Sequence, residues 1–495
     1  SSATAPSASP ATKSTSSAAK DCSRVERARR VSAIIWFRRD LRVHDHPALR
    51  AALANHDRVV PVFCLDDALL HGRHASGPRS QFLLECLAEL DATLRKRGSA
   101  LVIRRGPPER ELAAIARESG AEEIHFSADV TPFARRRGER VRAALTRAGV
   151  TLHAHAGVNV IDAVGSPQTQ SGKPYTVFTP FHRTWEREPR RDVLGPPRKL
   201  PPLPARLAKG RIPSLGALGL EQEVREPARG GETHARERLV RFLEHDVHSY
   251  ASARDALAAD STSRLSPYLH FGCISAREVE TRLPSGDGPA AFRRQLCWRD
   301  FHHHVLLHFP RNARSEFQQR YRGKLAWSRA ERRFERWCEG RTGYPLVDAG
   351  MRQLLREGWM HNRARLVVGS FLTKDLGIDW RWGERHFMHL LLDGDEANNN
   401  GNWQWIASVG TDPAPVFRRI YNPARQMESY DPDGSYVRLH VPELAPVPDE
   451  YIREPWTMPP ELQREVGCVI GSDYPEPIVD HAEARRQALE RYRIA

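Results

Sequence analysis

Between residues 393 and 413 the chain reads DGDEANNNGNWQWIASVGTDP, with two aspartates, three consecutive asparagines and two tryptophans inside thirteen positions. Carboxylates and amides hold charge and hydrogen bonds, while indoles stack on flat rings and ionise more easily than most side chains. Two other tryptophan neighbourhoods share the mixture: FRRQLCWRDFHHHVLLHFP around Trp298 and REGWMHNRARLVVGSFLTKDLGIDW around Trp359. Nine of the eleven tryptophans lie from Trp298 onward. A single buried indole is ordinary packing, but Arg, Asn and Asp beside each one cost free energy to bury unless a ligand or partner satisfies them. These segments therefore predict a polar ligand site lined by aromatic rings.

The elements that must carry such a site follow from the patterning. At 495 residues the chain calls for two domains. From Val31 short apolar runs (VSAIIWF, RVVPVFCL, ALVIRRG, EEIHFSAD, TLHAHAG) alternate with helical ones, which predicts a doubly wound α/β domain with a parallel sheet over residues 31–157. It has no GxGxxG after its first strand and no GxxxxGK[ST], so an ordinary dinucleotide or P-loop site is not expected. Closely spaced prolines in GPPRKLPPLPARLAKGRIPSLGALG make residues 158–228 an extended linker. Segments such as ETHARERLVRFLEHDVHSYASARDAL and YPLVDAGMRQLLREGW predict an all-helical domain over residues 229–495. Residues 1–30, rich in Ser and Ala, read as a disordered extension whose bias resembles an organellar transit peptide, a linker fitting equally well.

Net charge of +14 raises the odds of a polyanionic partner, because clustered Lys and Arg release phosphate counterions, although a solvated basic surface fits the same number. No run nears the roughly 20 apolar residues that span a bilayer, so a membrane role is not expected. The seven cysteines are scattered, with no spacing suited to zinc or an iron–sulfur cluster, and read as reduced intracellular thiols; no metal is expected. An intracellular location follows: cytoplasm or nucleoid in a bacterium, an organelle if residues 1–30 are a transit peptide.

The run from Thr342 to Pro423, which contains the opening segment, resembles the flavin-binding signature of the DNA photolyase/cryptochrome family, most closely the class I cyclobutane pyrimidine dimer (CPD) photolyases. WFRRDLRVHDHPAL (Trp36 to Leu49) resembles the N-terminal signature, and TSRLSPYLHFGCIS (Thr262 to Ser275) the phosphate-binding segment. The likeness covers essentially the whole chain after residue 31. It implies FAD in the helical domain, with the pyrophosphate held by Thr262, Ser263, Arg264, Leu265 and Ser266 and further contacts from Tyr250, Arg299, Asn362, Arg365, Asp393 and Asp395. An Arg365–Asp393 pair would balance charge beside the ring. Asn399 matches the position facing flavin N5, where an amide does not readily supply a proton. Trp403, Trp380 and Trp327 match the family's electron-hopping triad. Trp298 and Trp405 match the indoles that wedge a flipped pyrimidine dimer, with Leu366 and Asn362 against the lesion and Arg254, Arg363 and Arg418, or its neighbour Arg419, on phosphates.

Two positions depart from the CPD pattern: Gln295 stands where Glu is usual, and Leu366 where Met is frequent. A (6-4) activity would need His at the positions held by Asn362 and Leu366. In VTPFARRRG the positions of a folate-binding Asn–Glu pair are Phe133 and Ala134, so a deazaflavin antenna is favoured over folate, with a second flavin or no antenna open. The resemblance thus implies a monomeric enzyme that repairs CPDs in damaged DNA by light-driven electron transfer. The rival is a cryptochrome-like photoreceptor that keeps FAD and the tryptophan chain without repair; Gln295 favours it, Asn399, Trp298 and Trp405 the enzyme.

Overall fold

A computed structural model describes residues 32–495; the extension expected over residues 1–30 lies outside them. Five strands, β1 (Ser32–Phe37), β2 (Arg58–Leu65), β3 (Val102–Arg105), β4 (Ala121–Ser127) and β5 (Thr151–His155), form one parallel sheet in the order β3-β2-β1-β4-β5. Central β1, SAIIWF, is buried along its whole length, as a strand covered on both faces must be. Edge-side β4 alternates instead: Ile124 and Phe126 enter a core that also holds residues of the helices α3 (Pro108–Ser119) and α4 (Pro132–Arg147), while Glu123 and His125 point to the opposite face, which α1 (Pro47–Asn55) covers.

The helices of this domain start where local chemistry tells them to. His46 accepts from the Leu49 N–H ahead of α1, Ser76 from Arg79 ahead of α2 (Gly77–Lys96), and Thr131 from Ala134 ahead of α4. Each is followed by proline in the first turn, where a missing N–H costs nothing.

The linker is extended over much of its length, as its prolines require, but it carries one α-helix, α5 (Phe178–Trp185), and a 3-10 turn over Gly216–Leu218. Phe178, Phe181 and Trp185 recur at helical spacing and are buried, and Pro180 falls in the first turn where a helix tolerates it. The helical domain includes α6 (Asp287–His308), α7 (Pro345–Glu357), α8 (Asn362–Ser370), α9 (Trp380–Leu390) and α10 (Glu396–Ile406). The stretch from Glu232 that reads as one helix is divided: a helix over Glu232–Arg241, a wider π-type turn over Phe242–Asp246, and a single turn over Tyr250–Ala253.

The segment after β1 clamps the two domains together. Arg42, almost fully buried, donates to the carbonyls of His44, Asp45, Gly157 and Gly272. Asp45 accepts from Arg191 and Ser275, and the Val43 N–H donates to Glu232. One apolar core consequently runs from β1 and α2 into α6. Among the described residues no helix is long and apolar enough to cross a membrane.

Candidate functional site

The segment that opens the sequence analysis forms the turn before α10 and α10 itself. Asp395 is the N-cap, accepting from the Asn398 N–H at 2.8 Å and from its side-chain amide at 2.6 Å. Arg39, from the loop after β1, ion-pairs with the same carboxylate, and His303 Nε2 lies 3.4 Å from it. Burial alone would raise the Asp395 carboxyl; Arg39 and then His303 overcome it and hold the group well below the usual carboxylate range. A fixed anion thus anchors the start of α10.

The expected Arg365–Asp393 pair is present and two-pronged, at 2.9 and 3.3 Å, with Arg365 Nε also donating to the Met360 carbonyl. Asn399 donates to the Glu384 carbonyl at 3.0 Å, and Asn400 to the Glu384 side chain at 3.3 Å, so α9 orients both amides. The Asn399 Oδ1 makes no hydrogen bond among the described residues. Asn362 is exposed at the start of α8, which His361 caps by accepting from the Arg363 N–H. Arg299 donates to the carbonyls of Val158 and Leu269.

In TSRLS the Ser263 hydroxyl accepts from the Leu265 N–H, and Arg264 takes a left-handed conformation, φ 48°, that turns the chain into the short helix at Ser266. Arg264 is held there by Asp260, Glu357 and the face of Trp359. Leu265, not a hydroxyl residue, occupies the cap, and the hydroxyls of Thr262 and Ser266 have no hydrogen bond among the described residues. Tyr250 is buried against Phe242 and Phe292.

The three tryptophans expected to relay electrons share one core and are graded in depth: Trp380 and Trp403 are buried, Trp327 half-buried against Tyr492. Trp403 is held by Phe387 at 5.0 Å and Trp337 at 6.2 Å between ring centres. It reaches that position because residue 383 is glycine: a Cβ there would stand 2.1 Å from the indole Cη2.

Trp298 and Trp405, 107 positions apart, line one cavity of about 210 Å³ together with Arg294, His302, Gly401 and Asp412. Trp405 donates from Nε1 to Asp412 at 3.0 Å and carries the Arg419 guanidinium 4.0 Å over its ring. Trp298 has one face covered by Phe178 of α5, stacked at 3.6 Å and 3°. Gln295, Asn362, Arg363 and Leu366 fall outside this lining. Gln295 spends its amide N–H on the Ala291 carbonyl of its own helix at 3.4 Å. Arg363 pairs with Asp255 at 3.0 Å and covers Tyr430, while Leu366 packs against the helical core. Arg254 is half-buried and Arg418 exposed, whereas Arg419 is buried. Arg39, His303, Phe178 and Trp337 were not singled out from the sequence; Arg39 had a signal in WFRRDLR and His303 in FRRQLCWRDFHHHVLLHFP.

Two family profiles match: DNA photolyase over residues 33–205 and the FAD binding domain of DNA photolyase over residues 292–494. A deoxyribodipyrimidine photo-lyase of Streptomyces griseus is 46% identical over 465 residues, which is 93% of this chain and 99% of that protein. The crystal structure of a class III photolyase from Agrobacterium tumefaciens superposes with a TM-score of 0.87 at 36% identity, covering 94% of this chain and 98% of that one. An archaeal photolyase from Sulfolobus tokodaii, solved with two FAD molecules, gives 0.81 at 32% identity, covering 94% and 100%. With matches of this length in sequence and fold, the chain belongs to the DNA photolyase family.

Proposed function

We propose that the protein is a deoxyribodipyrimidine photo-lyase that repairs cyclobutane pyrimidine dimers in DNA with FAD as cofactor. The observation that carries this reading is the meeting of Trp298 and Trp405 on one cavity with basic Arg294 at its wall. Enzymes that act on bases extrude them from the stack and hold them between aromatic faces, and a distorted dimer has already lost part of its stacking.

The residues present fit the cofactor by the chemistry of their donors. The uncommitted hydroxyls of Thr262 and Ser266 suit phosphate oxygens, and the free Oδ1 of Asn399 and the Arg365–Asp393 pair suit a polar heterocycle. When bound, FAD in its reduced and light-excited form supplies an electron to the dimer and recovers it after the ring opens. Asn399 holds an amide rather than an acid toward that ring, so it offers no proton. Arg365 and Asp393 neutralise each other in place, and Trp403, Trp380 and Trp327 pass charge from core to surface. Arg254, Arg363 and the exposed Arg418 supply cation to the DNA backbone, while the buried Arg419 braces Trp405. The enzyme acts as an intracellular monomer.

A second chromophore in the α/β domain would be a deazaflavin or flavin rather than a folate. Phe133 and Ala134 offer none of the polar groups a folate would use, and Arg38 and Arg137 stack over Trp36, Phe126 and Phe133 near the carboxyl ends of β1 and β4, where open α/β sheets bind ligands. Burial and then Arg137 lower Arg38 to about 10, a strain that an anionic ligand would relieve.

The test is recovery of absorbance when photoreduced protein and a dimer-containing oligonucleotide are exposed to blue light. No recovery above a dark control, with photoreduction intact, would favour the cryptochrome-like photoreceptor that Gln295 suggests.

A further inference from the structure

In the α/β domain, β4 and β5 place histidines side by side. His125 and His153 are register partners in the parallel pair, and Glu123 and His155 lie two positions away on their own strands, so all four share the face that α1 covers. His56, at the end of α1, is brought over the same spot, edge-on to His125. The Nε2 atoms of His56, His125 and His153 converge on one oxygen of Glu123, at 3.5, 3.3 and 3.2 Å.

Hydrogen bonding does not account for this convergence. His125 is only 3% exposed, yet its Nε2 has no hydrogen-bond partner among the described residues, and neither has the Nε2 of His153. His56 Nδ1 lies 3.0 Å from the Ala52 carbonyl, which can only accept, so in the neutral ring the proton sits on Nδ1 and Nε2 turns a lone pair to the carboxylate. His125 Nδ1 is 2.9 Å from His155 Nε2, a partner able to fix its tautomer in the same sense. Lone pairs aimed at an anion repel, and a cation between them removes the repulsion.

We propose that His56, Glu123, His125 and His153 form a binding site for a divalent first-row transition metal, zinc foremost. Ligand–metal bonds of about 2.0–2.1 Å at tetrahedral angles set neighbouring ligand atoms about 3.3 Å apart, the spacing at which the three Nε2 atoms stand from Glu123. The ligand atoms of His56, Glu123 and His125 all lie within 4.8 Å of one another, and His153 joins the group through its 3.2 Å approach to Glu123. Three imidazoles and a carboxylate suit zinc, with nickel, cobalt and copper as competitors, and the Ala52 carbonyl and His155 stand behind two of the rings as orienting partners. Nothing in the proposed repair chemistry uses these residues. Such a site would staple edge strand β5 to β4 and α1.

The test is titration of the metal-stripped full-length protein with zinc and with cobalt(II). One ion per chain at micromolar or tighter affinity is expected, cobalt giving the intense visible bands of a tetrahedral centre. His125→Gln and His153→Gln should each weaken binding about 100-fold or more, at least what loss of an outer-shell partner costs. Because the His153 side chain is 39% exposed, its variant folds even if the buried one does not. Wild-type protein that takes up no ion, or uptake and cobalt spectrum unchanged in His153→Gln, would overturn the proposal.

Discussion

Replacing Arg39 with Met removes the cation that faces Asp395 while keeping most of the aliphatic stem. The side chains are 17% and 6% exposed, so this is a buried pair, and removing one partner of such a pair costs about 3–5 kcal/mol. Asp395 would keep the Asn398 backbone N–H, the Asn398 amide and His303, which places the loss at the lower end, about 3 kcal/mol. The pH dependence follows from the carboxyl's direction of shift. In the parent its folded pKa lies well below the unfolded value of about 3.9, so its stabilisation is complete above that value and is lost only as pH falls through the folded pKa. In Arg39→Met burial dominates and lifts the folded carboxyl, so the variant recovers as acid protonates it. Urea unfolding at pH 7 and pH 4 should give a large gap between the proteins that narrows in acid; Asp129, which Arg39 also faces at 3.6 Å and holds low, adds in the same sense, and the remaining carboxyls cancel in the difference. A gap below about 1 kcal/mol at pH 7, or one that does not narrow, would refute the assignment of Arg39 as the dominant partner.

Gly383→Ala places a methyl 2.1 Å from Trp403 and 2.6 Å from Leu372 Cδ2; overpacking of about 1–3 kcal/mol outweighs the helix-propensity gain of about 1 kcal/mol, so urea unfolding should show a net loss, and equal or greater stability would contradict it. Trp403→Phe should abolish photoreduction of oxidised FAD, followed by its visible bleaching, whereas Trp337→Phe should leave it; bleaching unchanged in the first removes Trp403 from the relay. Gln295→Glu should raise the yield of dimer repair with DNA affinity nearly unchanged, measured by oligonucleotide repair and fluorescence anisotropy; a fall in yield would mean the amide is the better group there.

Local pattern made the strands and many of the helices legible. EEIHFSAD and TLHAHAG lie at β4 and β5 because alternation of apolar and polar residues is a property of adjacent positions. The Arg365–Asp393 pair was legible through family likeness, with its members 28 positions apart. Arg39 and Asp395 stand 356 apart, and only docking of the two domains makes them partners. The stacking of Phe178 on Trp298 was hidden for another reason: prolines made the linker look uniformly extended, while three aromatic residues at helical spacing within it build α5 and with it a wall of the cavity. The convergence of His56 on Glu123, His125 and His153 was likewise out of reach, since E-x-H and H-x-H signal only a polar strand face until register and α1 bring them together.

The crowding of residues 393–405 has a geometric reason in the helix that carries them. At about 100° per residue, Asp395, Asn399 and Trp403 fall four apart along one stripe of α10. Each is fixed from outside: Asp395 by Arg39, Asn399 by the Glu384 carbonyl, Trp403 by the space left at Gly383. Ala397, Asn400, Gly401, Gln404 and Trp405 fall on another stripe, and all five line the cavity. The two indoles of W-Q-W are therefore turned about 200° from each other. One enters the apolar core that the proposed relay runs through, and the other stands at the cavity wall, braced by Asp412 and Arg419. Spacing of two along a helix is what lets a single short segment serve both sides, and inserting one residue between Trp403 and Trp405 would swing the second indole by about 100° and empty its place in the cavity.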